Sequence, residues 1–211
     1  MRGYANCIAA LPAAHKMMLL ALLLAVGLAN VRQSFPDLAP LQHIPTVMLC
    51  IAAPVLLRRW PISTGSLAAL WVFMLLHTLG GRYIYSYVPY DAWAEALTGH
   101  SLSSLFGWSR NHYDRLIHFC FGLFWTLPIC EAIVRRHGVT RGLGLVFGFA
   151  MVGLVSALYE IFEWALTIVA AGDTADYYNG QQGDIWDAQK DMAMAQFGSI
   201  IAVIWTKIRP S

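Results

Sequence analysis

Six stretches of the chain, roughly residues 16–31, 44–57, 65–88, 113–135, 142–171 and 185–206, are apolar over most of a membrane-spanning length. This leaves little freedom of fold. A bilayer core of about 30 Å takes roughly 20 residues of helix to cross, and backbone in lipid must satisfy its own hydrogen bonds. The sequence predicts an all-α, polytopic integral membrane protein, with six transmembrane helices in one bundle and a single domain over residues 1–211. Hydrophobic residues make up 58% of the chain and charged ones 12%, which excludes an ordinary soluble domain. A net charge of +2 with no long basic patch gives no reason to expect nucleic acid, so the lipid bilayer is the expected partner. Arg2 and Lys16 ahead of the first run, with Gly27-Leu28-Ala29 near its end, also fit a cleavable signal. Its loss would leave the other five spans as they are. Cys7, Cys50, Cys120 and Cys130 lie in or beside apolar segments without C-x-x-C spacing, and read as buried thiols.

Cations set the expected orientation. Nine of the 14 Lys and Arg (Arg2, Lys16, Arg58, Arg59, Arg135, Arg136, Arg141, Lys207 and Arg209) fall on alternate ends of the spans, accompanied by one acid, Glu131. The positive-inside rule makes those ends cytoplasmic, with both termini inside. The other 11 acids, Asp91 and Asp173 among them, then lie on the outer side. Tyr83, Tyr85, Tyr87, Trp93, Trp108, Tyr177 and Tyr178 crowd the same side, as interfacial aromatics do. The loop from Pro89 to His112 alternates such residues with polar ones, which predicts short segments on the membrane surface.

Carboxylates then gather where a membrane tolerates few. Glu160 and Glu163 end one apolar run about 60° apart around a helix, and Asp184, Asp187 and Asp191, spaced i, i+3, i+7, open the next. Asp114 and His118 share a face one turn apart at the start of the fourth span. Each has an ordinary explanation as well. Asp114 fits a helix cap with His118 as a core histidine, Asp184 fits a cap, and Asp187 fits the helix dipole. Asp191 lies roughly 10 Å farther along by helical rise and escapes that account, while Glu160 and Glu163 sit where the dipole disfavours them. His77 also falls in the outer half, ahead of a Gly80-Gly81 pair suited to close packing. Glu131 lies apart, spaced i, i+4 from Arg135 as an inner-interface ion pair.

Tracing the spans brings His77, Asp114, His118, Glu160, Glu163, Asp184, Asp187 and Asp191 into the same outer half. Their charges require shared protons, pairing with Arg82, Arg110, Arg115 or Lys190, or a bound cation. Carboxylates with imidazole and no thiolate suit Mg²⁺, Mn²⁺, Zn²⁺ or non-haem iron. The candidate catalytic set is Glu160, Glu163, Asp184, Asp187, Asp191, His118 and Asp114. The candidate metal ligands are Glu160, Glu163, His118, Asp187 and Asp191.

Gly81-Arg82-Tyr83-Ile84-Tyr85, Arg110-Asn111-His112-Tyr113-Asp114-Arg115-Leu116-Ile117-His118, Tyr159-Glu160-Ile161-Phe162-Glu163-Trp164 and Gln182-Gly183-Asp184-Ile185-Trp186-Asp187-Ala188-Gln189-Lys190-Asp191 resemble the YjdF-type bacterial inner-membrane family. That resemblance implies a multi-pass protein of the inner membrane. A looser likeness is to the VanZ-like proteins, with Asp114, His118, Glu160, Asp184 and Asp187 in the corresponding places; it implies a cell-envelope context. Three functions compete: a metal-assisted or acid/base enzyme acting on a lipid or lipid-linked envelope precursor, a cation- or proton-coupled transporter, and a structural or partner-binding protein whose acids fix helix packing. A transporter needs polar residues continuing inward, and the inner halves of the spans carry few.

Overall fold

In the computed structural model, residues 2–169 and 181–208 are described, and all of their regular structure is helical. The expected outer placement of Asp173, Tyr177 and Tyr178, the last two residues of the 142–171 stretch, and Arg209 lie outside the described residues. Helix α1 (Arg2–Ala10) meets α2 (Ala13–Ala29) at a bend of 108°. Pro12, which cannot continue a helix from its own N–H, stands at the bend. Helix α3 (Ala39–Arg59) starts five residues before the expected apolar stretch, with a proline in its first turn, where the missing N–H costs nothing. That extension brings Gln42 and His43 into the bundle interior.

Helix α4 (Thr64–Arg82) is capped by the Ser63 hydroxyl and stops six residues short of the expected end at 88. The reason lies in the Gly80-Gly81 pair. The amides of Tyr83 and Tyr85 both return to the Gly80 carbonyl (3.0 and 2.8 Å), and Ile84 and Tyr85 take left-handed φ values of 43° and 56°. The Tyr85 ring then fills the space that a Cβ on Gly80 would need. The run from 83 to 88 is therefore a turn, with Ile84, Tyr85 and Val88 in the core.

Two short helices, α5 (Tyr90–Thr98) and α6 (Leu102–Phe106), occupy the 89–112 loop and bury no residue fully. Asp91 accepts from the Ser103 amide (2.9 Å) and hydroxyl (2.6 Å), which tie one to the other and hold the Asp91 carboxyl below its ordinary range. Helix α7 (Tyr113–His137) is followed by α8 (Arg141–Val169) and, last, α9 (Asp187–Ile208).

Helix α7 is the hub, packed against α4 on one side and α8 and α9 on the other; α2, α3 and α4 form the remaining cluster. Leu22, Cys50, Phe73, Met74, Tyr85, Ile117 and Cys120 knit α2, α3, α4 and α7 into one core, and all four cysteines are free and buried. The α7 and α9 backbones touch. A Cβ on Gly122 would strike the Ala195 carbonyl oxygen, and one on Gly198 would strike the Phe119 carbonyl oxygen. Between them Thr126 and Ser199 share a hydrogen bond of 2.7 Å. Small residues at such a crossing are how helices approach closely in lipid.

By length and apolarity α3, α4, α7 and α8 qualify as membrane spans, and the α1–α2 pair makes a fifth if taken as one bent span. Helix α9 carries Asp187, Lys190 and Asp191 at its start and falls outside that set. The fold is a polytopic membrane bundle with four to five spans on these criteria.

Candidate functional site

The acidic end of the bundle is built by three helix termini. Asn111 fixes the entry to α7: its Oδ1 accepts from the Tyr113 amide (3.0 Å), and its Nδ2 donates to the Val88 carbonyl (2.9 Å). Gln182 docks on the same backbone, accepting from the Asn111 amide (2.9 Å) and donating to its carbonyl (3.0 Å). The turn that enters α9 is thereby latched to the turn that enters α7. Gln182 and Gly183 both have positive φ (49° and 81°), which aims the following aspartates back at α7.

Asp184 and Asp187 meet cations. Arg110 donates to Asp187 Oδ1 at 2.5 Å and to the Gln181 carbonyl at 3.1 Å. Arg115 is hydrogen-bonded to Asp184 and lies 3.3 Å from Asp187 Oδ1. Lys190 reaches Asp184 at 2.6 Å, and the Trp186 amide donates to its other oxygen at 3.1 Å. The hydrogen bonds from Lys190, the Trp186 amide and Arg115 hold the Asp184 carboxyl well below the usual carboxylate range. Burial, together with the positive charge of Arg115 and Arg110, lowers the neighbouring His112 imidazole. Asp184 closes a turn on the Trp186 amide ahead of α9 and caps no amide of the helix's first turn, and of the four counter-cations expected, Arg110, Arg115 and Lys190 serve. Arg82 does not pair with these acids in any described contact; it donates to the Ala29 (2.6 Å) and Val31 (3.0 Å) carbonyls at the end of α2.

Deeper in the bundle the environment changes. Asp114, His118 and Asp191 each present a ligand atom, and these three atoms lie within 4.8 Å of one another. His118 Nε2 is 3.9 Å from Asp114 Oδ1 and 3.5 Å from Glu160 Oε1. Asp191 is 2% exposed and Glu160 8%, yet Asp191 Oδ1 and Glu160 Oε1 accept no hydrogen bond from the described residues. Buried carboxylate oxygens are costly when left without donors. Two acids and an imidazole at this spacing offer the oxygen and nitrogen donors that Mg²⁺, Mn²⁺, Zn²⁺ or iron take, and one of the two orphaned oxygens, Asp191 Oδ1, belongs to that group.

Glu160 and Glu163 of α8 line a cavity of about 420 Å³ shared with Asp184 and Asp187 of the α9 entry. So Glu160, expected to face Asp187 or Asp191, lies across a common space from Asp187 and beside His118. Of the residues expected at one site, Asp114, His118 and Asp191 form the tight group, Glu160 adjoins it, Glu163 faces the cavity, and Asp184 and Asp187 belong to the arginine rim.

His77 stands elsewhere. Its Nδ1 is hydrogen-bonded to the Tyr85 hydroxyl and its ring stacks on Phe73 at 6.2 Å. It belongs with a second polar group around His43, whose Nδ1 accepts from Asn30 (2.9 Å) and whose Nε2 donates to the Thr78 carbonyl (3.0 Å). Asn30 caps the end of α2 and His43 lies on α3, with no shared spacing, so nothing in the sequence pairs them. The latch residues Asn111 and Gln182 carried a signal only as parts of longer motifs. Glu131 is apart from the site, paired with Arg135 at 2.5 Å as its spacing implies.

Residues 14–210 match the family described as "Predicted membrane protein (DUF2238)". The inner membrane protein YjdF of Escherichia coli (strain K12) is 35% identical over 149 residues, covering 70% of this chain and 67% of that protein. No solved structure matches.

Proposed function

The chain belongs to the DUF2238 family of predicted membrane proteins, and from that premise we propose that it is a metal-assisted acid–base enzyme of the inner membrane, acting on a lipid or a lipid-linked envelope precursor. Asp114, His118 and Asp191 hold a divalent cation, and Glu160 beside them carries the proton. In this arrangement α9 is the sixth span, both termini are cytoplasmic and the acidic end faces the periplasm, in keeping with the basic residues at the opposite end.

The observation that carries the reading is the pair of buried carboxylate oxygens without hydrogen-bond partners, set around one imidazole. A network built only for packing satisfies its members, because a half-satisfied one is worse than an apolar core. A bound divalent ion would polarise an oxygen of water or substrate and lower the cost of removing its proton. Glu160 lines the cavity and reaches within 3.5 Å of His118, so it can receive a proton on the cavity side and return it to a leaving group. The rim of Arg110, Arg115, Asp184 and Asp187 favours a structural role for those four, since every carboxylate there meets a cation.

Protein purified without chelator is expected to carry about one equivalent of Mg²⁺, Mn²⁺, Zn²⁺ or iron and to melt at higher temperature with the ion than without it. Asp191→Asn should lose the ion and keep its fold. Wild-type protein with no stoichiometric metal, and no gain in melting temperature on adding these ions, would sink the metal reading.

A further inference from the structure

A second cavity, of about 240 Å³, lies between α2, α3, α4 and α7. It begins beside Leu22, Cys50 and Met74 of the apolar core and runs to Trp60, Ile62 and Ala132 near the basic end of the bundle. From Cys50 to Trp60 the α3 wall covers about 15 Å, so the space is drawn out along the helices. No charged, hydroxyl, amide or imidazole side chain lines it. Apolar cavities of about 150 Å³ stay dry and take up an apolar guest, so water does not fill this one. Packing explains the gap. Helix α4 packs closely on α2, α3 and α7, whereas among the described residues neither α2 nor α3 comes comparably close to α7. Leu56 lines the cavity and is also exposed on the outside of the bundle, so the gap is open to the surrounding medium. Since α3, α4 and α7 qualify as membrane spans, that medium is acyl chain.

Charge narrows the guest. Arg58 and Arg59 precede Trp60, Lys16 lies two residues before Met18, and Arg135 and Arg136 stand within four residues of Ala132. These five cations meet one acid, Glu131, a surplus of four. Three have partners already: Lys16 donates to the Ala9 carbonyl (3.0 Å), Arg58 to Cys7 Sγ (3.7 Å), and Arg135 pairs with Glu131. Arg59 and Arg136 are exposed and have no hydrogen-bond or ion-pair partner among the described residues. The rings of Trp60 and His137, 5.3 Å apart, bring the ends of α3 and α7 together, so these two arginines flank one contact. A guanidinium presents a fork that matches phosphate, and an indole such as Trp60 suits the headgroup level of a bilayer. A zwitterionic lipid has the tail for the cavity and no net charge to meet the surplus.

We propose that this cavity holds one acyl chain of an anionic phospholipid, which enters between α3 and α7 beneath the Trp60–His137 contact and sets its phosphate on Arg59 and Arg136. The site lies toward the opposite end of the bundle from Asp191 and does not depend on the metal reading.

The test uses the full chain, delipidated in detergent and given equal amounts of phosphatidylglycerol and phosphatidylcholine with the same acyl chains. Retained lipid is counted by native mass spectrometry. Phosphatidylglycerol should be kept with about tenfold preference, the factor expected of one charge-assisted hydrogen bond. Equal retention of the two lipids overturns the proposal. The double variant Arg59→Gln, Arg136→Gln should lose most of that preference, and an undiminished preference overturns the placing of the phosphate. Location is read on the unaltered protein. Phosphatidylglycerol with a diazirine near the end of one chain should label the stretches 49–60 or 125–132 ahead of Leu154 and Leu158, which are exposed on α8. Labelling as strong on α8 overturns the cavity as the site. Glycerol phosphate in solution competes for the arginines alone, so displacement of the lipid by an equal concentration of it overturns the part played by the acyl chain.

Discussion

Glu131 on α7 and Asp191 on α9 are both carboxylates set into the helical bundle, toward opposite ends of it. Glu131 accepts from the Ser63 amide (3.0 Å), the Ser63 hydroxyl (2.9 Å) and the Ser66 hydroxyl, and pairs with Arg135. Every donor around it has one purpose, which is to tie the capped start of α4 to the basic end of α7. Asp191 is more deeply buried and worse provided for: one oxygen accepts nothing from the described residues, and its near neighbours are another aspartate and an imidazole. The contrast separates two uses of a buried charge. Where the fold supplies all the partners, the charge holds helices in place; where it withholds them, the arrangement is the one that we propose receives an ion.

The arginine rim tests how far the first use extends. Arg110→Ala would leave Asp187 buried without its closest partner, and should cost about 3 kcal/mol in unfolding free energy, as loss of one member of a buried pair does. A cost too small to measure in a denaturant titration would remove the rim from the structural class. Glu131→Ala comes next, at about 1–2 kcal/mol, because it strands the Ser63 amide and two hydroxyls in a partly exposed pocket. Asp191→Asn should be smallest and opposite in sign. In the presence of chelator it relieves like-charge repulsion and should leave the unfolding free energy equal to wild type or above it by less than about 1 kcal/mol. Should Asp191→Asn cost as much as Glu131→Ala under those conditions, the two acids are alike and the distinction fails.

Much of the acidic end was legible because helical periodicity does not depend on neighbours. Asp114 and His118 at i, i+4, and Asp184, Asp187 and Asp191 at i, i+3, i+7, announce shared faces from spacing alone. A short connection between two apolar runs makes those faces adjacent. What spacing could not do was divide the acids. Asp187 and Asp191 look equivalent along α9, and only the path of residues 107–112 decides that Arg110 reaches the first. The end of α4 was hidden for a different reason. Residues 83–88 carry Ile84 and Val88 and read as the continuation of a span, and Ile84 and Tyr85 give no hint in their identities of the left-handed backbone they adopt. The pairing of Asn30 with His43 is purely tertiary and leaves no periodic trace.

The close backbone approach of α7 and α9 at Gly122 and Gly198 bears on which ion the proposed site would accept. Side chains at a helix crossing act as springs, since a rotamer can change and let the helices part by a fraction of an ångström. Here main chain rests on main chain, and the compliance is gone. The backbones that carry Asp191 and the Asp114–His118 pair are then held at a fixed spacing where they cross. A rigid gauge suits an ion with short, strict bonds of about 2.0–2.1 Å, such as Mg²⁺, over one such as Ca²⁺ that needs 2.3–2.6 Å and a yielding shell. Size selectivity at the acidic end would thus be decided at glycines more than a full helical turn from the nearest ligand.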